Sequence, residues 1–459
     1  MNGIIILLVY TALMLIVTIG FTKKTDCGDE SFHVGNRKMG LVKASLCIGC
    51  TWIWAPALFV SAERAFLTGW PGVFWFLVPN VACLILFSFY AKRIRAQMPN
   101  GITLSAFMGE KYDSPKVRGI YQVQLSMLSM FAAAVQLLAG GRMLEVTTGL
   151  PFWLLTIILA VIAFSYSQFS GIKASMTTGA VQMVIMIVTS VAFAVTTLTS
   201  GTGMSDFVGG LSSVSGQYSS LISEAGLALF LGFGLPSTIG LLSGPFGDQS
   251  FWQRAFSIKS DKVGASFRIG AFLFAVVPIC MAILGFVAAG SGFTPSDTGV
   301  VNLEFIIYRF PAWTLAPFMF MVISGLLSTV DSSLVAAASF TTDYDKAKKS
   351  KFVMAATLIL AIIIANIPGI TITYLFLLYG TQRASTLLPT ILTLLGKKLT
   401  GKGMFYGILT SLVVGLPIFA YGNIAGVAMF RTIGSLTTVL LSAAIALIVS
   451  RWEVRRSAG

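Results

Sequence analysis

Residues 232–247 read GFGLPSTIGLLSGPFG, with five glycines and two prolines inside an apolar segment, 225–250, that is long enough to cross a bilayer. A helix needs roughly 20 apolar residues to span the hydrocarbon core. Glycine lowers helix propensity and proline removes a backbone donor, so we expect unwound backbone here. In lipid, such backbone is tolerated only where it is buried in protein or lines a water-filled cavity. The stretch therefore predicts an interrupted helix within a helical membrane protein.

A second apolar segment, 41–67, shows the same kind of interruption at residues 47–56, which read CIGCTWIWAP. The two segments are the second and the seventh along the chain. An inverted repeat of five helices plus five places them at equivalent positions, and paired interruptions of this kind indicate a solute site near the bilayer midplane. The alternative is that the glycines serve only close helix packing.

The composition of the whole chain agrees with a membrane fold. Of the 459 residues, 56% are hydrophobic and only 10% are charged, against about 25% charged in soluble domains. We therefore predict an all-α polytopic membrane protein of thirteen spans. The spans are 2–21, 41–67, 70–91, 116–146, 151–168, 172–200, 225–250, 263–290, 312–342, 351–367, 370–396, 404–421 and 428–450.

The basic residues set the expected orientation. The net charge is +14, and 26 of the 31 Lys and Arg residues fall in clusters between alternate spans. This is the positive-inside pattern of a cell-membrane protein, and it makes a nucleic-acid partner unexpected. It predicts an N-terminus outside and a cytoplasmic C-terminus. The other five cations are Arg64, Arg142, Arg309, Arg383 and Arg431.

Span 312–342 carries the residues that favour ion binding. Ser324, Ser328 and Ser332 are four apart and share a helix face, with Thr329 beside them. Asp331 is an acid in an apolar helix, which marks a functional candidate. Hydroxyls and backbone carbonyls are the ligands that hard cations prefer, so we consider a sodium site between this helix and the interruption near Cys50. The alternative is that the hydroxyls bond to carbonyls of their own helix.

Two motifs resemble those of the sodium:solute symporter family. They are STVDSSL at 328–334, followed by Thr342 and Asp343, and DQSFWQRA at 248–255. Three stretches more narrowly resemble its urea active transporter branch: TWIWA at 51–55, AKRIRAQMPNGITL at 91–104, and the DQSFWQR form of the second motif. The resemblance covers about residues 30–420.

The resemblance implies the leucine-transporter-type fold, a 5+5 inverted repeat. The expected division is a preceding helix at 1–22, repeats at 41–200 and 225–397, and two C-terminal helices at 403–450. It also implies a sodium site between the first and eighth core helices. The matching ligands are the carbonyls of Cys50, Ile53 and Gly325 and the hydroxyls of Ser328 and Thr329. Many relatives carry Thr-Asp in core helix 5, where this chain has Thr178-Gly179, so a second ion contact there is in question.

The residues that we expect near the solute are mostly neutral. They are Thr51, Trp52, Trp54, Gln136 and Ser243, and each tryptophan alternatively serves packing. We expect Asp248 and Arg254 to pair or cap at an inner helix end, and Glu63 and Arg64 to be interfacial. For Arg383, lining an outer cavity and reaching the membrane interface are the two placements that we consider.

The resulting expectation is a sodium-coupled symporter that imports a small polar solute, best matched by urea or a urea-like amide or amine. The alternatives are a proton-coupled symporter of a polyamine or organic acid, and a channel or uniporter. We expect no enzyme, because no nucleophile–base pair, metal cluster or nucleotide loop stands out. The sequence does not indicate an oligomeric state.

Overall fold

The computed structural model describes residues 3–21, 33–167, 172–341 and 346–458. These residues form twenty α-helices and no strand beyond one bridge pair, Met39 with Ile258. Thr342 and Asp343 lie outside the described residues. The helices are α1 Gly3–Phe21, α2 Leu41–Trp52, α3 Ala55–Leu58, α4 Val60–Gln97, α5 Leu104–Lys111, α6 Pro115–Thr148, α7 Phe152–Ser167, α8 Ile172–Thr199, α9 Gly203–Gly210, α10 Glu224–Leu229, α11 Leu235–Leu242, α12 Gln249–Ser257, α13 Val263–Gly290, α14 Val301–Arg309, α15 Leu315–Ala338, α16 Lys346–Ala365, α17 Ile372–Ala384, α18 Leu387–Leu394, α19 Gly401–Ile424 and α20 Ala428–Ala458.

The helices account for each of the thirteen predicted spans. Eight helices within the described ranges are long and apolar enough to cross a membrane. Four shorter apolar helices lie within α1, α2, α7 and α16. The remaining span is shared by α17 and α18, which are separated by Ser385 and Thr386. The all-α prediction is therefore confirmed.

The first interruption lies between α2 and α3. Helix α2 ends at Trp52, and Ile53 and Trp54 have extended backbone with ψ of 97° and 177°. Helix α3 then begins at Ala55 with Pro56 in its first turn. Proline is suited to this position because the backbone N–H that it lacks has no partner in a helix start. The proline therefore allows the helix to restart two residues after it stops.

The second interruption lies between α11 and α12. Helix α11 ends at Leu242, and α12 begins at Gln249, whose first turn is capped by the Asp248 carboxylate. A wider helical turn at Phe230–Gly234 precedes α11. A Cβ atom on Gly244 would lie 2.2 Å from the Trp52 ring. This close approach brings the two interrupted segments into contact, and only glycine fits there.

Helix α15 is the centre of the bundle. Its most apolar window is 94% buried, against 39% for α19 and 33% for α20. It packs against α2, α6 and α8, and α1 covers it from outside. Helices α19 and α20 pack chiefly on each other. Both carry large exposed apolar side chains, such as Val413, Leu440 and Ile448, as a lipid-facing surface requires.

Of two predicted boundaries, the gap between 67 and 70 coincides with a kink inside one long helix, and the end at 250 is wrong. Helix α4 runs from Val60 to Gln97 and joins the end of one predicted span to the next. The join is Gly69, at φ 60° and ψ −159°, where a Cβ atom would lie 2.4 Å from the Leu211 carbonyl oxygen. The predicted span 225–250 ends too late, because its helix stops at Leu242 and the next one continues to Ser257.

Candidate functional site

The first interruption faces the hydroxyl-rich side of α15. The Thr329 hydroxyl lies 3.4 Å from the Ile53 carbonyl oxygen and 3.1 Å from the Gly325 carbonyl oxygen. Calcium, a hard cation close in size to sodium, holds oxygens at about 2.3–2.6 Å, which places neighbouring ligands of an octahedron about 3.3–3.7 Å apart. The Thr329 oxygen therefore stands from each of the two carbonyl oxygens at close to the spacing between neighbouring ligands of such an ion. The three oxygens come from three of the five residues predicted as sodium ligands.

The other two predicted ligands lie beside this group and contact each other. The Ser328 hydroxyl is 3.1 Å from the Cys50 thiol. The Cys50 carbonyl accepts the Ile53 backbone N–H at 3.0 Å. A carbonyl has a second lone pair, so the Cys50 oxygen retains acceptor capacity. A hydroxyl oxygen has two lone pairs, so Ser328 also retains acceptor capacity beside the thiol.

A small cavity adjoins Thr329 and both tryptophans of the interruption. It has about 10 Å³ of room for the centre of a water molecule, which holds about one water. The predicted solute residues Thr51, Trp52 and Trp54 lie in its wall. Its lining residues are Thr51, Trp52, Trp54, Asp248, Ser250, Phe251, Thr329, Ser332, Ser333 and Tyr379.

The two tryptophans are bound differently. The Trp52 indole N–H donates to the Asn80 carbonyl at 3.2 Å, and its ring meets Phe251 edge-on at 5.2 Å. The Trp54 ring packs on Tyr379 with centroids 5.0 Å apart. The Trp54 indole nitrogen is buried and has no hydrogen-bond partner among the described residues. The indole N–H of Trp52 therefore has a hydrogen-bond acceptor, whereas that of Trp54 has none among the described residues.

Gln136 and Ser243 are not among the cavity's lining residues. The Gln136 side-chain oxygen accepts the Ala55 backbone N–H at 2.8 Å, and its amide nitrogen donates to the Ala132 carbonyl at 3.1 Å. The Ser243 hydroxyl donates to the Ile239 carbonyl at 2.6 Å. The Gln136 amide thus closes the N-terminus of α3, and Ser243 bonds to its own helix.

Asp248 and Arg254 bind different partners. The Asp248 carboxylate accepts the Ser250 backbone N–H at 2.8 Å and caps α12. The Arg254 guanidinium is buried and donates to the Ser332 hydroxyl at 2.7 Å and to the Ser250 carbonyl at 3.0 Å. It does not pair with Asp248 among the ion pairs of the described residues. It therefore ties α12 to α15. Asp331 is buried in α15 as well.

Sequence reasoning missed Arg383. Neither placement that we considered is correct, because the side chain is fully buried. Its Nε donates to the Gly240 carbonyl at 2.7 Å, and its guanidinium carbon lies 4.4 Å from the Tyr379 ring centroid and 5.4 Å from that of Trp52. An arginine inside an apolar span is a functional signal in itself, and it was available in the sequence.

A larger cavity of about 460 Å³ lies at the other side of the aromatic residues. Glu63 and Arg64, expected at the membrane interface, stand in its wall 3.0 Å apart. The Thr373 hydroxyl donates to Glu63 at 2.7 Å and so links α17 to α4. Arg142 pairs with Asp297 in the same wall.

Interrupted helices that meet a central hydroxyl-rich helix define the class of secondary transporters. A family model assigns the chain more narrowly. The chain belongs to the sodium:solute symporter family, whose model matches residues 32–411.

Named relatives are similar at low identity. The chain is 23% identical to a probable urea active transporter 1 of Schizosaccharomyces pombe over 61% of its length, and 21% identical to the urea-proton symporter DUR3 of Oryza sativa over 85%. It spans only 44% and 60% of those two proteins. It is also 22% identical to the sodium/pantothenate symporter of Escherichia coli, over 72% of this chain and 70% of that one.

Solved structures confirm the fold. A Na⁺-coupled sialic acid symporter in a substrate-bound outward-open state superposes with a TM-score of 0.77 at 16% identity, over 97% of each chain. Mhp1, a nucleobase-cation-symport-1 family transporter, gives 0.61 at 12% identity over 94% of this chain and 96% of that one. The chain has the leucine-transporter-type fold. The repeat boundaries at 41–200 and 225–397 stay a prediction.

Proposed function

We propose that the protein is a sodium-coupled symporter that imports a small neutral solute, urea or a urea-like amide. The observation that carries the proposal is the group formed by the Thr329 hydroxyl and the Ile53 and Gly325 carbonyls. It joins the interrupted helix to the central helix, so an ion bound there bridges the two parts that an alternating-access motion separates.

Sodium is favoured over a proton because of the ligand chemistry. A hard cation is held by neutral oxygens, and the three oxygens of this group carry no titratable group. A proton-coupled site needs a group that gains and loses a proton during the cycle. The rice relative is named a proton symporter, so proton coupling is the second candidate, with the buried Asp331 and the half-buried Asp248 as its carriers.

Urea is favoured by the similarity to urea transporters and by the polar groups near the cavity. A neutral solute needs donors and acceptors but no compensating fixed charge. A site built for hydrogen bonds rejects solutes that leave its polar groups unpaired. The similarity to a sodium/pantothenate symporter makes an organic acid the second solute class.

Coupling follows from the position of the ion group. Sodium bound to Ile53 and Thr329 fixes the interrupted segment whose next residue, Trp54, lines the cavity. Ion and solute then stabilise each other's binding reciprocally. One charge moving through the membrane potential supplies about 2.3 kcal/mol per 100 mV. This free energy drives uptake against a solute gradient.

Counterflow and gradient-driven uptake in proteoliposomes test the proposal. Radiolabelled urea, acetamide, acetate and pantothenate are compared under an inward sodium gradient, an inward proton gradient and no gradient. We expect accumulation of urea or acetamide that requires sodium and saturates. Accumulation that follows only the proton gradient overturns the sodium assignment. Non-saturating flux without any gradient indicates a channel.

A further inference from the structure

Three buried hydrogen-bond donors next to the cavity have no acceptor. They are both terminal nitrogens of Arg383 and the indole nitrogen of Trp54, none of which makes a hydrogen bond to a described residue. The Asp248 carboxylate and the Tyr379 hydroxyl lie close enough to interact with the Arg383 charge without completing these donors. Arg383 is 0% exposed and Trp54 is 2% exposed. A buried donor without a partner is costly, and a charged one more so. Such groups persist in a protein where a ligand completes them.

The arginine is held so that its two terminal nitrogens stay free. Its Nε is bonded to the Gly240 carbonyl. Its stem lies against Gly247, where a Cβ atom would come within 2.6 Å of the Arg383 Cβ. The guanidinium carbon is 4.4 Å from the Tyr379 ring centroid and 5.7 Å from that of Trp54. These contacts fix its orientation beside two rings that line the cavity.

Other buried donors of the same kind next to the cavity do have acceptors. The Trp52 indole is bonded to Asn80, and the Arg254 guanidinium is bonded to Ser332 and Ser250. Other buried donors in the described part of the chain also lack partners, such as the Trp75 indole, but only Arg383 and Trp54 bring three of them together beside this cavity. A ligand for that place must bring oxygen acceptors and no surplus of donors.

We propose that Arg383 and Trp54 bind a planar oxygen acceptor of the transported solute, a carbonyl or a carboxylate. That the ligand is the transported solute rests on the proposed function. The fork of an arginine matches a planar acceptor through two parallel hydrogen bonds, and the indole N–H adds a third donor. Urea and small carboxylates share this chemistry. Amines lack it and would leave these three donors unpaired.

Competition and affinity measurements test the assignment. Uptake of radiolabelled urea into proteoliposomes is measured with acetamide, acetate and guanidinium as competitors. The variants are R383K, which keeps the charge but loses the fork, and W54F, which keeps a ring but loses the N–H. The matched control is W75F, because the Trp75 indole nitrogen is also unpartnered and its ring packs on Phe230.

We expect the apparent KM of the transported solute to rise at least fivefold in R383K and in W54F and less than twofold in W75F. Acetamide or acetate competes, and guanidinium does not. Competition by acetate alone identifies a carboxylate as the source of the acceptor, and competition by acetamide identifies a carbonyl. Size-exclusion elution of each variant checks folding, and W54F suffices if R383K does not fold.

Two results separate this inference from the proposed function. Intact sodium-driven uptake with KM values in both variants equal to that of W75F overturns the roles of Arg383 and Trp54 and leaves the symporter. Absence of uptake in the unaltered protein overturns the function. Binding of labelled urea, acetamide and acetate to purified protein, measured by scintillation proximity, then decides the inference: loss in R383K and W54F supports it, and no binding of any of the three overturns it.

Discussion

At the scale of single residues, Thr329 contacts more of the proposed ion group than any other predicted ligand. Its hydroxyl reaches carbonyls of two different elements, the interruption and α15. Ser328, the next residue, turns to the Cys50 thiol instead. The two hydroxyls are adjacent in the sequence, but only that of Thr329 contacts the carbonyls of the proposed ion group. This difference leads to a specific expectation for their alanine variants.

We expect Thr329→Ala to raise the sodium concentration for half-maximal uptake more than Ser328→Ala does. Loss of a buried oxygen partner costs about 1–3 kcal/mol, or roughly 5- to 150-fold in affinity. Thr329→Ser retains the hydroxyl and should restore most of the affinity. The readout is the sodium dependence of initial uptake rates. Ser339→Ala is the control, because the Ser339 hydroxyl bonds only to the Ala336 carbonyl of its own helix.

Equal effects of Thr329→Ala and Ser339→Ala would show that the group does not bind the ion.

The sequence alone placed Thr329 correctly near Ile53 because both lie at motif positions. It could not separate Ser328 from Thr329, because their roles depend on the rotation of α15 against α2. The charge of Arg383 within an apolar span was visible in the sequence, but its placement was not, because burial of its side chain depends on Gly240 and Gly247, which lie more than a hundred residues away.

At the scale of elements, the interruption of the second segment is stabilised from another helix. The Ala55 backbone N–H at the start of α3 is bonded to Gln136 of α6. The first N–H groups of any helix lack intrahelical partners, and a side-chain acceptor satisfies one of them. Gln136 therefore maintains the break next to the ion group, although the sequence suggested a solute contact.

We expect Gln136→Leu to destabilise the protein and to weaken sodium-dependent uptake. The change leaves the Ala55 N–H unpaired in a buried place, at a cost of about 1–3 kcal/mol. Gln124→Leu is the matched control on α6, because Gln124 is equally buried and both of its side-chain polar atoms lack partners among the described residues. The measurements are the thermal melting midpoint of purified protein and initial uptake rates. A smaller effect for Gln136 than for Gln124 would contradict this role.

The interruptions were predictable because glycine and proline act locally on the backbone. The predicted break at 47–56 coincides with the extended residues Ile53 and Trp54. Helix ends were less predictable. The predicted end at 250 was wrong because α11 stops at Leu242. The predicted gap at 68–69 coincides with the non-helical Gly69, but its close contact with Leu211, in a different loop, was not predictable from residues 60–97.

At the scale of the whole molecule, the two ends of the helix bundle differ in charge. At one end the basic loops contact each other: Arg37 donates to the Gly101 and Phe256 carbonyls, and the backbones of Met39 and Lys259 are bonded. At the other end the cations pair with acids, as Arg309 does with Asp206 at 3.4 Å. An excess of Lys and Arg at one end is the arrangement that the positive-inside rule associates with the cytoplasm.

We expect a cysteine at Gln217 to react with an impermeant thiol reagent from outside intact cells, and a cysteine at Ser260 to react only after the membrane is opened. Both positions are exposed and lie at opposite ends of the bundle, in the loop 211–223 and in the basic loop 258–262. Ser213, in the same loop as Gln217, is buried and is therefore a poor probe. The background protein lacks the native cysteines, and its uptake activity confirms that it folds. Reversed labelling would invert the proposed orientation and place the 460 Å³ cavity on the cytoplasmic side. The sodium group and the Arg383 donors would keep their positions in the fold, but the cavity between Glu63 and Asp297 would then be the exit of an importer.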